Sequence, residues 1–178
     1  INIENGIAAL ALAQLAGAEP EELRKAMLSF EGVERRFDFK VKNQHHVALS
    51  DYAHHPEEIR QCVLSLREVF DNRRLTAIFQ PHLYTRTRDF YKKFAASLSL
   101  FDEVVLTEIY PARELPVEGV SSALIYDNIA PGADKYMIRK DDVLDFVASH
   151  PTDVLVVLGA GDLDDYTQRI ADQLSADK

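Results

Sequence analysis

Residues 47–70 read VALSDYAHHPEEIRQCVLSLREVF, and the change of periodicity inside this stretch decides the fold. Val47 to Ser50 is a short, mostly apolar run of the kind that lies inside a sheet. Asp51-Tyr52-Ala53-His54-His55 then gathers polar side chains. Pro56 opens a helix, because proline sacrifices no hydrogen bond in the first turn, and Glu57 and Glu58 lie favourably against the positive end of the helix dipole. Ile59, Val63, Leu66 and Phe70 recur at helical spacing and predict one apolar face over 56–70.

The same unit recurs downstream. Leu75–Phe79 leads to a helix carrying Phe90, Phe94 and Leu98. Val104–Thr107 leads, after a long loop, to a short helix over 122–129. Tyr136–Ile138 leads to a helix over 141–150, and Val154–Leu158 to a last helix with Leu163, Tyr166, Ile170 and Leu174 on one side. Short apolar strands alternating with amphipathic helices predict an α/β, Rossmann-like fold with a mostly parallel sheet flanked by helices. Upstream, Phe37, Phe39 and Val41 alternate and face Val47 and Leu49 across a turn at 42–46, which predicts a hairpin.

Further out lies a helical hairpin. Residues 4–16 are rich in alanine and leucine and end near Gly17; Pro20, Glu21 and Glu22 start a second helix with Leu23, Met27 and Phe30 as its stripe. Two helices alone bury little core, so residues 1–31 are expected to be the tail of a domain upstream of Ile1, and 32–178 a domain of their own. Ile1 is not an initiator methionine and no signal pattern follows, so the chain reads as a piece of a longer protein, and its single cysteine fits a reducing cytoplasm.

Bulk properties narrow the function. The net charge of -9 argues against a general nucleic-acid binder. No apolar run approaches the roughly 20 residues of a membrane helix. Cys62 stands alone, which rules out a disulfide framework.

Chemistry in such sheets gathers at the carboxyl ends of the strands. In the first loop, Asp51 can accept ribose hydroxyls, and His54 and His55 can bind anions or move protons; alternatively Asp51 or His55 caps the helix. His45, His46, His54, His55 and His82 lack the helical i, i+4 spacing of a zinc site and have no thiolate nearby, so no metal ligands are expected in this chain. The second loop, Gln80–Arg88, is basic: Arg86, Arg88, Lys92 and Lys93 stand against Asp89, suiting a carboxylate or phosphate, or else forming a solvated face. The third, Gly159-Ala160-Gly161-Asp162, begins like a dinucleotide fingerprint. Asp164 occupies the third glycine position and a single helix follows, so that reading fails, and the glycines instead permit close approach to a ligand or neighbour.

These pieces together resemble the Mur ligase family over essentially the whole chain. The resemblance rests on NIENG (2–6), FEGVERRF (30–37), DYAHHP (51–56), FQPHLYTRT (79–87), IYPARELPVEGVSS (109–122) and LGAGD (158–162). Within the family, FQPHLYTRT is similar to the branch that adds L-alanine and speaks against a branch that recycles whole peptides. The resemblance implies ATP-dependent attachment of L-alanine to UDP-N-acetylmuramate through an acyl phosphate, in peptidoglycan precursor synthesis. It implies that Asn5 contacts adenine, Arg36 the nucleotide phosphates or nearby substrate, and Asp51 the ribose. Tyr52, His54, His82 and Arg86 would line the alanine pocket, Arg86 holding the carboxylate and His54 positioning or deprotonating the ammonium. Family members commonly carry arginine where this chain has Leu83, so Arg86 is expected to act with His82. The phosphate-cradling loop and the Mg2+ ligands are expected in the central domain, which leaves this segment inactive alone.

Overall fold

The structure, a computed structural model, describes residues 2–176 and divides into two compact units, Ile1–Val33 and Glu34–Lys178. The first holds α1 (Asn2–Leu15) and α2 (Pro20–Leu28). Gly17, at φ +96, turns the chain between them in a conformation that side chains resist. Phe30 does not extend the apolar stripe: α2 stops at Leu28 with Ser29 as its cap, and Phe30 lies beyond it, 58% exposed. No residue of α2 is buried.

The second unit follows the expected alternation: β1 (Asp38–Lys42), β2 (Val47–Asp51), α3 (Pro56–Val69), β3 (Leu75–Phe79), α4 (Tyr84–Leu98), β4 (Glu103–Leu106), α5 (Ala123–Tyr126), β5 (Asp134–Met137), α6 (Val143–Ser149), β6 (Val154–Leu158) and α7 (Thr167–Ala176). The sheet order is β1-β2-β6-β3-β4-β5. β1 is antiparallel to β2 and every other pair is parallel. The hairpin turn is held by Asn43, whose side-chain oxygen accepts the amides of His45 (2.9 Å) and His46 (2.8 Å). β3 and β6 are buried along their whole length, as continuous apolar runs require.

Apolar residues of α3, α4 and α5 pack on one face of the sheet, and those of α6 and α7 on the other. β6 lies between β2 and β3, yet its helix covers the opposite face from theirs. The loops after β6 and β3 therefore leave in opposite directions, which opens a crevice at their carboxyl ends. Three expected helices are shorter than their sequence patterns. α5 spans Ala123–Tyr126, and α6 and α7 are preceded by 3₁₀ turns at Lys140–Asp142 and Asp162–Tyr166. At Leu163 the cause is visible: its amide donates to the Gln80 side chain (3.1 Å), a tertiary bond in place of a helical one.

Candidate functional site

The crevice is built by three loops. After β3, Gln80 is buried and spans the gap to the β6 loop: its Nε2 donates to Asp162 (2.9 Å) and its Oε1 accepts from Leu163. Asp162 is also paired with Lys140, which holds its carboxyl below the usual range against the opposing effect of burial. This packing explains the third loop. A Cβ on Gly161 would lie 2.2 Å from Gln80 Oε1 and 2.9 Å from Tyr110; one on Gly159, already at φ +137, would lie 3.0 Å from the Gln80 carbonyl. Of the two readings of those glycines, close approach to a neighbour fits.

His82 stacks on Tyr110, with ring centres 5.6 Å apart. The pair is fixed by backbone bonds from Leu83 to the Tyr110 carbonyl (3.0 Å) and from Tyr110 to the Pro81 carbonyl (2.8 Å). Leu83 sits at φ +72, a strained conformation for a branched side chain, immediately before α4. Glu114 ties the long β4–α5 loop to that helix start, accepting the Thr85 amide (3.0 Å) with one carboxylate oxygen and the Thr85 hydroxyl with the other. On the same first turn, Arg86 Nη1 reaches the His54 carbonyl (3.5 Å) and His82 Nδ1 (3.4 Å). Arg88, Lys92 and Lys93 are exposed, so the solvated-face reading holds for them.

At the first loop, His54 lies 6.0 Å ring to ring from His82 and 5.2 Å from Tyr52. Of the two expected caps, His55 rather than Asp51 is the N-cap of α3, and Glu58 Oε2 closes the start by accepting the amides of His54 (2.9 Å) and His55 (3.1 Å). Asp51 is engaged elsewhere. One oxygen accepts the amide of Phe37 (2.8 Å) and the other that of Ala53 (2.9 Å), which ties the approach to β1 onto the end of β2. Burial raises its pKa despite those amides. Burial, then the charges of Arg86 and His54, lower the pKa of His82.

Tyr52, His54, His82 and Arg86 thus converge. Arg36 is exposed and lies over the Tyr52 ring at 5.4 Å. Asn5 belongs to the other unit, where it is exposed on α1. Sequence reasoning missed Arg35. In the left-handed conformation at φ +59, it donates to the carbonyls of Gly159 (2.9 Å) and Gly161 (3.2 Å) and covers Tyr52 at 4.8 Å. Its buried Nε lies 3.2 Å from Asp164 but is misaligned for a hydrogen bond, so that contact is an ion pair only. The doublet Arg35-Arg36 was visible, but nothing in the spacing says which of the two turns inward. A separate cleft of about 840 Å³, at the ends of β4 and β5, is lined by Tyr84, Ile109, Met137, Ile138 and neighbours and contains none of the expected residues.

Comparison with known proteins adds a second line of observation. Residues 35–161 match the family model described as "Mur ligase, glutamate ligase domain". A UDP-N-acetylmuramate--L-alanine ligase of Phocaeicola vulgatus is 58% identical over 175 residues, which is 98% of this chain and 38% of that protein. One from Parabacteroides distasonis is 52% identical over 164 residues, 92% of this chain and 35% of that protein. The crystal structure of the UDP-N-acetylmuramate-alanine ligase MurC of Thermotoga maritima superposes with a TM-score of 0.79 at 29% identity, over 99% of this chain and 38% of that one. The chain therefore spans well under half the length of the relatives it matches.

Proposed function

The chain belongs to the Mur ligase family, and we propose that it forms the amino-acid-binding part of an enzyme that joins L-alanine to UDP-N-acetylmuramate at the expense of ATP. One observation carries the reading. Arg86 is half-buried on the first turns of α4, and its close neighbours are a carbonyl and an imidazole rather than an acid. A guanidinium so placed favours a ligand carboxylate, since it offers a planar fork of donors with no internal anion to satisfy it among the described residues. Tyr52, His54 and His82 stand around it, with the His54 ring 5.2 Å from that of Tyr52 and 6.0 Å from that of His82. The names of the relatives agree with L-alanine.

In the proposed reaction, ATP phosphorylates the lactyl carboxylate of UDP-N-acetylmuramate. The neutral amine of alanine then attacks the acyl phosphate, forming an amide and releasing phosphate beside ADP. His54 would position the ammonium or take its proton. Asn5 would contact the adenine and Asp51 the ribose, and Arg36 the phosphates or the nearby substrate. Asp51 keeps both oxygens on backbone amides, so any ribose bond would use their remaining lone pairs. Among the described residues no three carboxylate, imidazole or thiolate groups gather as a cation site. The proposal places the ion, and the phosphate-cradling loop, in the central domain of the longer protein. Residues 1–31 would be the helical tail of that domain and 32–178 the carboxy-terminal domain, acting in the cytoplasm. Among the described residues no helix is long and apolar enough to cross a membrane.

The test is phosphate release by the full-length protein supplied with ATP and UDP-N-acetylmuramate. Release should depend on L-alanine; release driven by a muropeptide in place of free alanine would overturn the assignment in favour of a recycling ligase.

A further inference from the structure

The surroundings of His54 and His82 fix which nitrogen of each ring carries a proton. His54 Nδ1 lies 2.9 Å from the Tyr52 carbonyl and 3.3 Å from Glu58 Oε2. A carbonyl and a carboxylate only accept, so Nδ1 is the protonated nitrogen and the lone pair of the neutral ring is on Nε2. His82 is arranged the other way. Its Nδ1 lies 3.4 Å from Arg86 Nη1, and a guanidinium only donates. The lone pair of His82 is therefore on Nδ1 and the proton on Nε2. Burial and the Arg86 charge keep its pKa below the ordinary histidine value, so the ring is neutral at pH 7.

We infer that His54 and His82 are locked as opposite tautomers, and that together with Arg86 they read an α-amino acid as a zwitterion. His54 Nε2 is the acceptor for the ammonium; His82 Nε2–H and the Arg86 guanidinium are the donors for the carboxylate. This rests on the proposed amino-acid pocket and adds to it the source of its polarity. A pair of histidines free to choose tautomers would present two donors, two acceptors, or one of each in either order. Here the Tyr52 carbonyl, Glu58 and Arg86 make the choice before substrate arrives, so no reorganisation is needed on binding. Glu58 acts as a positioning residue, holding the His54 backbone amide and standing beside its ring nitrogen through the same oxygen.

The tautomers are open to direct measurement. The four side chains lie within the Glu34–Lys178 unit, which carries its own core on both faces of the sheet, so the 178-residue chain serves for this step. In the chain labelled with 15N at histidine, long-range proton–nitrogen correlations at pH 7.5 identify the protonated nitrogen of each ring. Loss of signals in His54→Gln and His82→Gln gives the assignment. The expected result is Nδ1–H for His54 and Nε2–H for His82. The same tautomer in both, or averaging in either, overturns the inference. In Arg86→Ala, His82 should populate both tautomers while His54 keeps its own; an unchanged His82 would remove Arg86 from the role assigned to it. A final arm separates this inference from the function beneath it. In the full-length protein loaded with UDP-N-acetylmuramate and a non-hydrolysable ATP analogue, L-alanine should shift His54 Nε2 and His82 Nε2. Opposite tautomers with no response to alanine would support the locking and overturn the amino-acid pocket.

Discussion

Arg86 is the residue on which the reading turns. If it pairs with the alanine carboxylate, Arg86→Ala removes a charge-assisted bond and leaves a substrate anion unpaired. Such bonds contribute on the order of 1.5–3 kcal/mol, which corresponds to roughly 10- to 150-fold in kcat/KM for alanine. Arg86→Lys should recover only part of the loss, because the ammonium keeps the charge and loses the fork. Leu83 makes the test sharper, since no second arginine stands beside His82 to hide the effect. Steady-state kinetics on the full-length protein, varying alanine at saturating ATP, decide it; a change below about twofold would falsify the carboxylate role. His82 carries a second expectation at this scale. Its pKa is lowered in the folded state, so folded protein binds fewer protons than unfolded protein between that value and the ordinary one. Its contribution to stability is then complete above about pH 6.5 and is lost as the pH falls toward the folded value. Thermal melts from pH 7.5 to 5 should therefore fall less steeply in His82→Gln than in the parent chain, and equal slopes would argue that His82 is unperturbed.

Elements are where the sequence was most legible, and where its limits have physical causes. β3 and β6 fall at Leu75–Phe79 and Val154–Leu158, as their mostly apolar runs foretell, because a strand buried on both faces carries no exposed polar positions to blur its ends. α3 begins at Pro56 because proline and two glutamates mark a helix start almost uniquely. β5 is less clear: its residues are exposed or half-buried at the sheet edge, and it begins two residues before the apolar run that signals it. The loops divide the same way. Tyr52, His54, His82 and Arg86 sit in motifs whose composition shift is local. Arg35, Gln80 and Tyr110 act through partners far along the chain, which no spacing announces. Gly161 shows the consequence. Its backbone angles, φ -89 and ψ -158, are open to any residue, so the glycine is needed for space and not for conformation. Gly161→Ala must displace the buried Gln80 amide, which bonds Asp162 and Leu163, and press on Tyr110, the support of His82. Overpacking of this kind costs about 1–3 kcal/mol. Melting should drop by several degrees, and a melting point within one degree of the parent would show that the loop gives way freely.

At the scale of the whole molecule, the two units differ in how they hold themselves together. The Glu34–Lys178 unit has a six-stranded sheet with buried helices on each face, all drawn from its own residues. In the Ile1–Val33 unit, α2 buries nothing, and Ile7, Leu12, Leu15, Met27 and Leu28 are all well exposed. Helices this short are marginal in water without a packed face, so the first unit cannot supply much of the free energy of folding. Gly32, at φ +108, stands at the junction, in a backbone conformation that glycine adopts without strain. A chain of residues 34–178 should accordingly unfold cooperatively in urea with nearly the midpoint of the 178-residue chain. Its m-value should be only slightly smaller, because m follows the surface exposed on unfolding and residues 1–33 hide little of it. Neither chain should release phosphate from ATP in the presence of UDP-N-acetylmuramate and L-alanine, since the phosphate-cradling loop and the metal that phosphoryl transfer uses are proposed to lie in the central domain. A truncated chain that loses its cooperative transition would mean that the helical hairpin is part of the same folding unit.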